Sequence, residues 1–284
     1  MLWCMVRTSP KALALGSQLR SARDAQNIGV RALAKRIGID HSTLSRAESG
    51  ERPPSPELVS TILVELGVSG AELQRIIELS TDTSGTAWLA VSLPEQRAQL
   101  AALLDFEQIA KSIVSWSPLL VPGLLQVSSY TRAIMSGGVV PENEIETRVA
   151  VRMGRRDVLT RPQPVQMTAL LGEGALRQKI GTPEVMLLQL EHLAKMAELP
   201  NVDLRIIPFD AGWHPGLDGN FLMLSIDGST EVVHLENRSS GLFLRDDKDV
   251  AVYREAAQMV LRVAMTAEQT AALLADEADR IKKE

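Results

Sequence analysis

The chain has 284 residues, 45% of them hydrophobic and 23% charged, which is enough apolar material for two domains of unequal size. Its single cysteine, Cys4, excludes an intrachain disulfide and any cysteine-built zinc site. The net charge of −5 argues against a uniformly basic nucleic-acid binder, but the charge is unevenly spread: residues 1–55 carry nine Lys/Arg against four acids, a local +5 that leaves −10 for the remainder.

In chain order, the apolar start Met1–Val6 meets a charge at Arg7 and is too short for a signal-peptide core. No later run approaches the roughly 18 apolar residues of a membrane span, so a soluble cytoplasmic protein with no membrane partner is expected. Helical spacing of Leu15, Leu19, Ala22 and Ala25 predicts a helix over Leu13–Gln26. A second helix reads Val30–Ile37, ended by Gly38 in the left-handed conformation of a C-terminal turn. Asp40 caps a third, His41–Glu48, and Ser49-Gly50 closes it. The stiff connector Pro53-Pro54-Ser55-Pro56 leads to two more short helices, Glu57–Leu66 and Ala71–Leu79. Ser80–Thr86 is polar and short-chained, a domain boundary or the start of a linker, and Leu93 to about Ser115 reads as one long helix.

Beyond it the types mix. Helices are predicted after Pro122-Gly123 to about Met135, over Glu142–Thr160 with acids before arginines, and from Thr182-Pro183 to Glu198. Strands are predicted at Val165–Leu171, Val202–Pro208, Phe221–Ile226 and Val232–Glu236. From Asp249 onward the chain reads as helix, hinged near Thr266.

Leu33-Ala34, Gly38 and Ser42-Thr43-Leu44-Ser45-Arg46-x-Glu48-x-Gly50 with the Pro-rich exit carry a resemblance to the Xre/phage-repressor helix-turn-helix family over Gly16–Pro56. Ala34 is small where two helices cross, Gly38 makes the turn, and Leu33, Ile37 and Leu44 fill the shared core. The resemblance implies that the third helix enters a major groove of double-stranded operator DNA, with His41, Ser42, Thr43, Ser45 and Arg46 facing base edges. Arg31, Lys35 and Arg52 are the candidates for phosphate contacts, and Glu48 is expected to be structural.

The C-terminal two-thirds, from about residue 106 to 280, resembles the second domain of an actinobacterial, antitoxin-like group of Xre-type regulators. The matching residues include Trp116-x-Pro118-x-x-Val121-Pro122-Gly123-Leu124-Leu125-Gln126, Arg148-x-x-x-Arg152-x-x-Arg155-Arg156 and Gly212-x-His214-Pro215-Gly216. The resemblance implies a small protein partner, encoded next to the regulator, that modulates DNA binding. The alternative reading is a sensor of a small anionic molecule. Arg148, Arg152, Arg155 and Arg156 cluster at helical spacing and would hold an anion or a partner's acids, or pair with Glu144 nearby; Trp213 and His214 sit in a candidate binding loop. An apolar pocket opening onto Arg152 and Arg155 would favour the sensor.

His192, His214, His234, Glu173 and Glu236 have acid–base chemistry but no catalytic or metal-ligand spacing, so neither an enzyme, a metal nor a cofactor is expected. The expected architecture is multi-domain: an all-α five-helix helix-turn-helix domain at 12–80, a linker and connecting helix at 81–105, and an α+β regulatory domain at 106–284. The protein is expected to act as a homodimeric transcription regulator, nucleoid-associated when bound to DNA.

Overall fold

The computed structural model describes residues 9–81, 83, 85–138, 140–226 and 230–283; the apolar start Met1–Val6 lies outside them, as do Asp82 and Ser84 of the expected boundary stretch. In chain order come helices α1 (Pro10–Ala25), α2 (Val30–Arg36), α3 (His41–Glu48), α4 (Pro56–Glu65) and α5 (Gly70–Leu79), then strand β1 (Ala87–Ala90), α6 (Leu93–Ile109) and β2 (Ser112–Ser117). Next are α7 (Ser128–Ser136), α8 (Glu142–Gly154), β3 (Gln166–Gly172), the single turn α9 (Gly174–Arg177), α10 (Pro183–Ala197), β4 (Val202–Ile207) and β5 (Phe221–Ser225). Strands β6 (Glu231–Glu236) and β7 (Gly241–Leu244) precede α11 (Asp247–Arg262) and α12 (Ala267–Lys283). Among the described helices, none is long and apolar enough to cross a membrane.

The described residues form two compact units, one of 9–109 with 234–250 and the other of 110–233 with 251–283. In the first, local signals set each helix end. The Ser9 hydroxyl accepts from the Ala12 N–H at 3.0 Å with Pro10 at the first turn, and Asp40 and Ser55 cap α3 and α4 in the same way. Gly38 has φ +72° and ends α2, as expected. Leu15, Leu19, Leu33, Leu44, Ile62 and Leu63 are fully buried and form the core beneath these helices.

The unit that holds α1–α5 also contains α6, β1 and β7, so it is not all-α. Residues 81–105, read from sequence as a linker and connecting helix, here supply β1 and most of α6. β1 and β7 pair antiparallel with Trp88 opposite Phe243, and Phe106 of α6 meets the Phe243 ring edge-on at 5.4 Å. Gln99, also on α6, donates to the Trp88 carbonyl at 2.6 Å.

The second unit is built on a mixed sheet in the order β5-β2-β3-β4, in which β2–β3 and β3–β4 are parallel and β2–β5 antiparallel. The long helix expected to reach Ser115 instead stops at Ile109. Ile113 belongs to β2, where it lies beside Met167 and Leu224 and is fully buried. Two strand neighbours decide the matter over helical spacing. The helix expected to continue to Thr160 ends at Gly154, followed by a tighter 3-10 turn over Arg155–Leu159. The hinge near Thr266 is present: the Met265 N–H donates to Ile206 O, and the Thr270 hydroxyl accepts from Ile206 N, tying the start of α12 to β4.

Candidate nucleic-acid interface

Helix α3 is short and sharply two-sided. Leu44, Ala47 and Glu48 are buried, whereas His41, Ser42, Ser45 and Arg46 are exposed and Thr43 is half-buried. Four of the five expected base-reading side chains therefore share the open side of one helix, and Thr43 is the least available. Arg46 folds back on its own helix, its Nε donating to Ser42 O at 3.2 Å and its terminal nitrogen lying 3.3 Å from Ser42 Oγ. Those are exposed local bonds that water or a base edge replaces at little cost.

The Asp40 carboxylate accepts from the Ser42 N–H at 2.8 Å. Bonds from Ser42 hold it below the usual carboxylate range, so the cap stays ionised near neutral pH. Arg31 and Lys35 are exposed one turn apart on α2, and Arg52 is exposed just past α3, its N–H bonded to Arg46 O at 3.1 Å.

What holds α3 in place was only partly legible. Glu48 was expected to be structural, but its partner was not identified. Arg23 of α1 makes a two-pronged pair with it, Nε to Oε1 at 2.7 Å and the second nitrogen to Oε2 at 2.9 Å. Arg23 also donates to Ile28 O and to Asp24. Glu48 is 5% exposed and Arg23 is 8% exposed. Glu48's hydrogen bonds raise the Arg23 guanidinium above its ordinary value against the opposing effect of burial. One of the nine cations of the basic segment is thus internal rather than offered to phosphate. The second missed residue is Gly16, where α1 meets the end of α3: a Cβ there would sit 2.7 Å from the carbonyl oxygens of Ala47 and Glu48.

In the second unit the four arginines do not gather at one place. Arg148 pairs with Glu144 at 2.7 Å along the surface of α8. Arg152 turns inward to Gln126 Oε1 at 3.0 Å, within a network in which Gln126 also donates to Val121 O and accepts from Thr131. Arg152 and Arg155 come together over Gly123, each placing a guanidinium atom within 4 Å of where a Cβ would stand. Arg156 donates to His192 Nε2 at 2.9 Å. Trp213 is 71% exposed, while His214 is buried, edge-on to Trp116.

Burial, reinforced by Arg156 and Lys195, lowers the His192 pKa to about 4. A histidine depressed from its unfolded value of about 6.5 favours folding while neutral, and that contribution is lost as pH falls from about 6.5 towards 4. Lowering the pH from 7 to 5 should therefore cost about 2 kcal/mol through this residue. Urea titrations at both values should show a smaller loss for His192→Gln; an equal loss in both proteins would remove His192 from the account.

Residues 14–76 match the family described as Helix-turn-helix domain, and residues 100–276 match that described as Domain of unknown function (DUF5753). Two proteins named as uncharacterized HTH-type transcriptional regulators, from Mycobacterium tuberculosis strains CDC 1551 and H37Rv, are each 40% identical to this chain over 58 residues. That stretch is 20% of this chain and 41% of each relative, so the chain spans well under half the length of the curated relatives it matches. No solved structure matches. The N-terminal part of the chain is a helix-turn-helix domain and, by the match over more than half its length, the chain belongs to the DUF5753 family.

Proposed function

We propose that the protein is a sequence-specific transcription regulator of the Xre type that reads operator DNA through α3. The observation that carries this reading is the open side of α3, where His41, Ser42, Ser45 and Arg46 project from a helix whose other side is anchored by Leu44, Ala47 and Glu48. Such a helix presents donors and acceptors to a major groove without disturbing its own core. Arg46 pairs with guanine, His41, Ser42 and Ser45 supply the neighbouring contacts, and Thr43 contributes from the margin. Arg31, Lys35 and Arg52 set the register on phosphates. Two copies bind a two-fold site in the cytoplasm.

The second unit serves a small protein partner of the antitoxin-like type. Support comes from large apolar side chains left on its surface: Leu119 and Phe209, both against Gly174, with Trp213 and Leu217 also exposed.

The test is selection of bound sequences from a random duplex pool with the full chain and with Arg46→Ala. An enriched palindrome should lose discrimination at one base position in the variant, by about 1–3 kcal/mol. A uniform loss over all sequences would place Arg46 on phosphate. If no motif is enriched, with or without the neighbouring small protein, the regulator reading is withdrawn.

A further inference from the structure

The second unit contains a half-open pocket of about 210 Å³ between one face of its sheet and helix α11. It does not open onto Arg152 or Arg155, so it is not the anion pocket that the sequence suggested. One end of the wall is ionic and hydroxylic, and the rest is mainly apolar apart from Thr168 and Gln258. Ser112 of β2 stands directly opposite Ser225 of β5, and both line the cavity. The next strand, β6, adds Glu231 to this end, and Arg254 of α11 pairs with that carboxylate. Moving along the sheet, Val114 lies opposite Met223, and the far end is lined by Leu170 and the partly exposed Leu261. Arg254 and Leu261 are seven residues apart on one face of α11, so the ionic and apolar ends are separated by roughly 10 Å.

We propose that this cavity binds a free α-amino acid with a medium-sized apolar side chain. An apolar cavity of about 150 Å³ holds a benzene molecule, so about 210 Å³ holds a side chain of leucine, methionine or phenylalanine size with its headgroup at the polar end. The charges select the headgroup. Glu231 and Arg254 satisfy one another, with their side chains 28% and 50% exposed, so their mutual attraction is screened and weak. A carboxylic acid alone would gain Arg254 but face Glu231, and an amine alone would gain Glu231 but face Arg254. A zwitterion inserted between them gives the ammonium to Glu231 and the carboxylate to Arg254, exchanging one ion pair for two. The Ser112 and Ser225 hydroxyls take the remaining donors and acceptors. The site is independent of what α3 recognises.

The experiment is calorimetric titration of the full-length protein with L-leucine, L-isoleucine, L-methionine and L-phenylalanine. The best of these is then compared with its amine and its acid, which lack the carboxylate and the amino group respectively. At least one amino acid should bind, with both truncated forms weaker by at least about tenfold, or 1.4 kcal/mol. Leu261→Trp should abolish binding by filling the apolar end. Glu231→Gln, a change at the rim that leaves the core untouched, should weaken it about tenfold while the unliganded melting temperature stays in place. The proposal is overturned if none of the four amino acids binds, if the acid or amine alone binds as well, or if Glu231→Gln binds unchanged.

Discussion

Glu48→Ala should destabilise the helix-turn-helix domain by about 3–5 kcal/mol, the usual consequence of removing one partner from a buried ion pair. The loss arises less from the missing attraction than from what remains. Arg23 is 8% exposed and cannot shed its proton, so its charge would stay buried with only Asp24 and the Ile28 carbonyl for company. Protection of the α1 and α3 amides in hydrogen exchange should fall by a similar free energy. The double variant Arg23→Met with Glu48→Leu is the control, because it removes both charges and keeps the bulk. It should recover much of the loss. Equal losses in the single and double variants would mean that Glu48 acts through packing and that the charge pair is incidental.

Gly16→Ala should also destabilise, against the normal preference of helices. In a helix interior, alanine is favoured over glycine by about 1 kcal/mol. Here the added carbon would meet two backbone oxygens at 2.7 Å, which no rotamer change relieves. Opening α1 from α3 to admit it should cost about 1–3 kcal/mol beyond the propensity gain. The displacement would also tilt the proposed reading face of α3, so on that reading operator affinity should fall along with the unfolding midpoint. Gly154→Ala, at a helix end where a Cβ would meet nothing within 4 Å, is the matched control and should be neutral or mildly stabilising. If Gly16→Ala behaves like that control, the α1–α3 contact is looser than its geometry indicates.

These two residues also show where sequence reading stopped. The ends of α2 and α3 were legible because their signals are local: Gly38 must turn, Asp40 must cap, and both lie within a few residues of what they control. The residues on the open side of α3 came from the resemblance to the helix-turn-helix family. Glu48 could be marked structural, but Arg23 lies 25 residues away with nothing between to join them. Gly16 reads as a poor helix former until α3 is laid across it. The strands β1 and β7 escaped notice because each is four residues long and β1 finds its pairing partner, β7, some 150 residues away in sequence. The cavity in the second unit was the least legible, since its walls come from positions scattered between Ser112 and Leu261. By contrast, Arg148, Arg152, Arg155 and Arg156 were conspicuous as a cluster, yet Arg148 pairs with Glu144 and Arg156 with His192, while Arg152 and Arg155 meet over Gly123.

On the proposed reading, the eight residues of α3 set a limit on how much information the protein can extract from a genome. At 1.5 Å per residue the helix is about 12 Å long, the span of roughly three to four base-pair steps. A word of four letters recurs by chance about once in every few hundred positions, whereas a genome offers on the order of a million or more competing sites. One copy of α3 would therefore meet its word by chance at on the order of thousands of sites. A useful address needs a second word at a fixed spacing, so under the proposed two-fold binding, whatever sets the distance between two copies of this helix decides which genes are addressed.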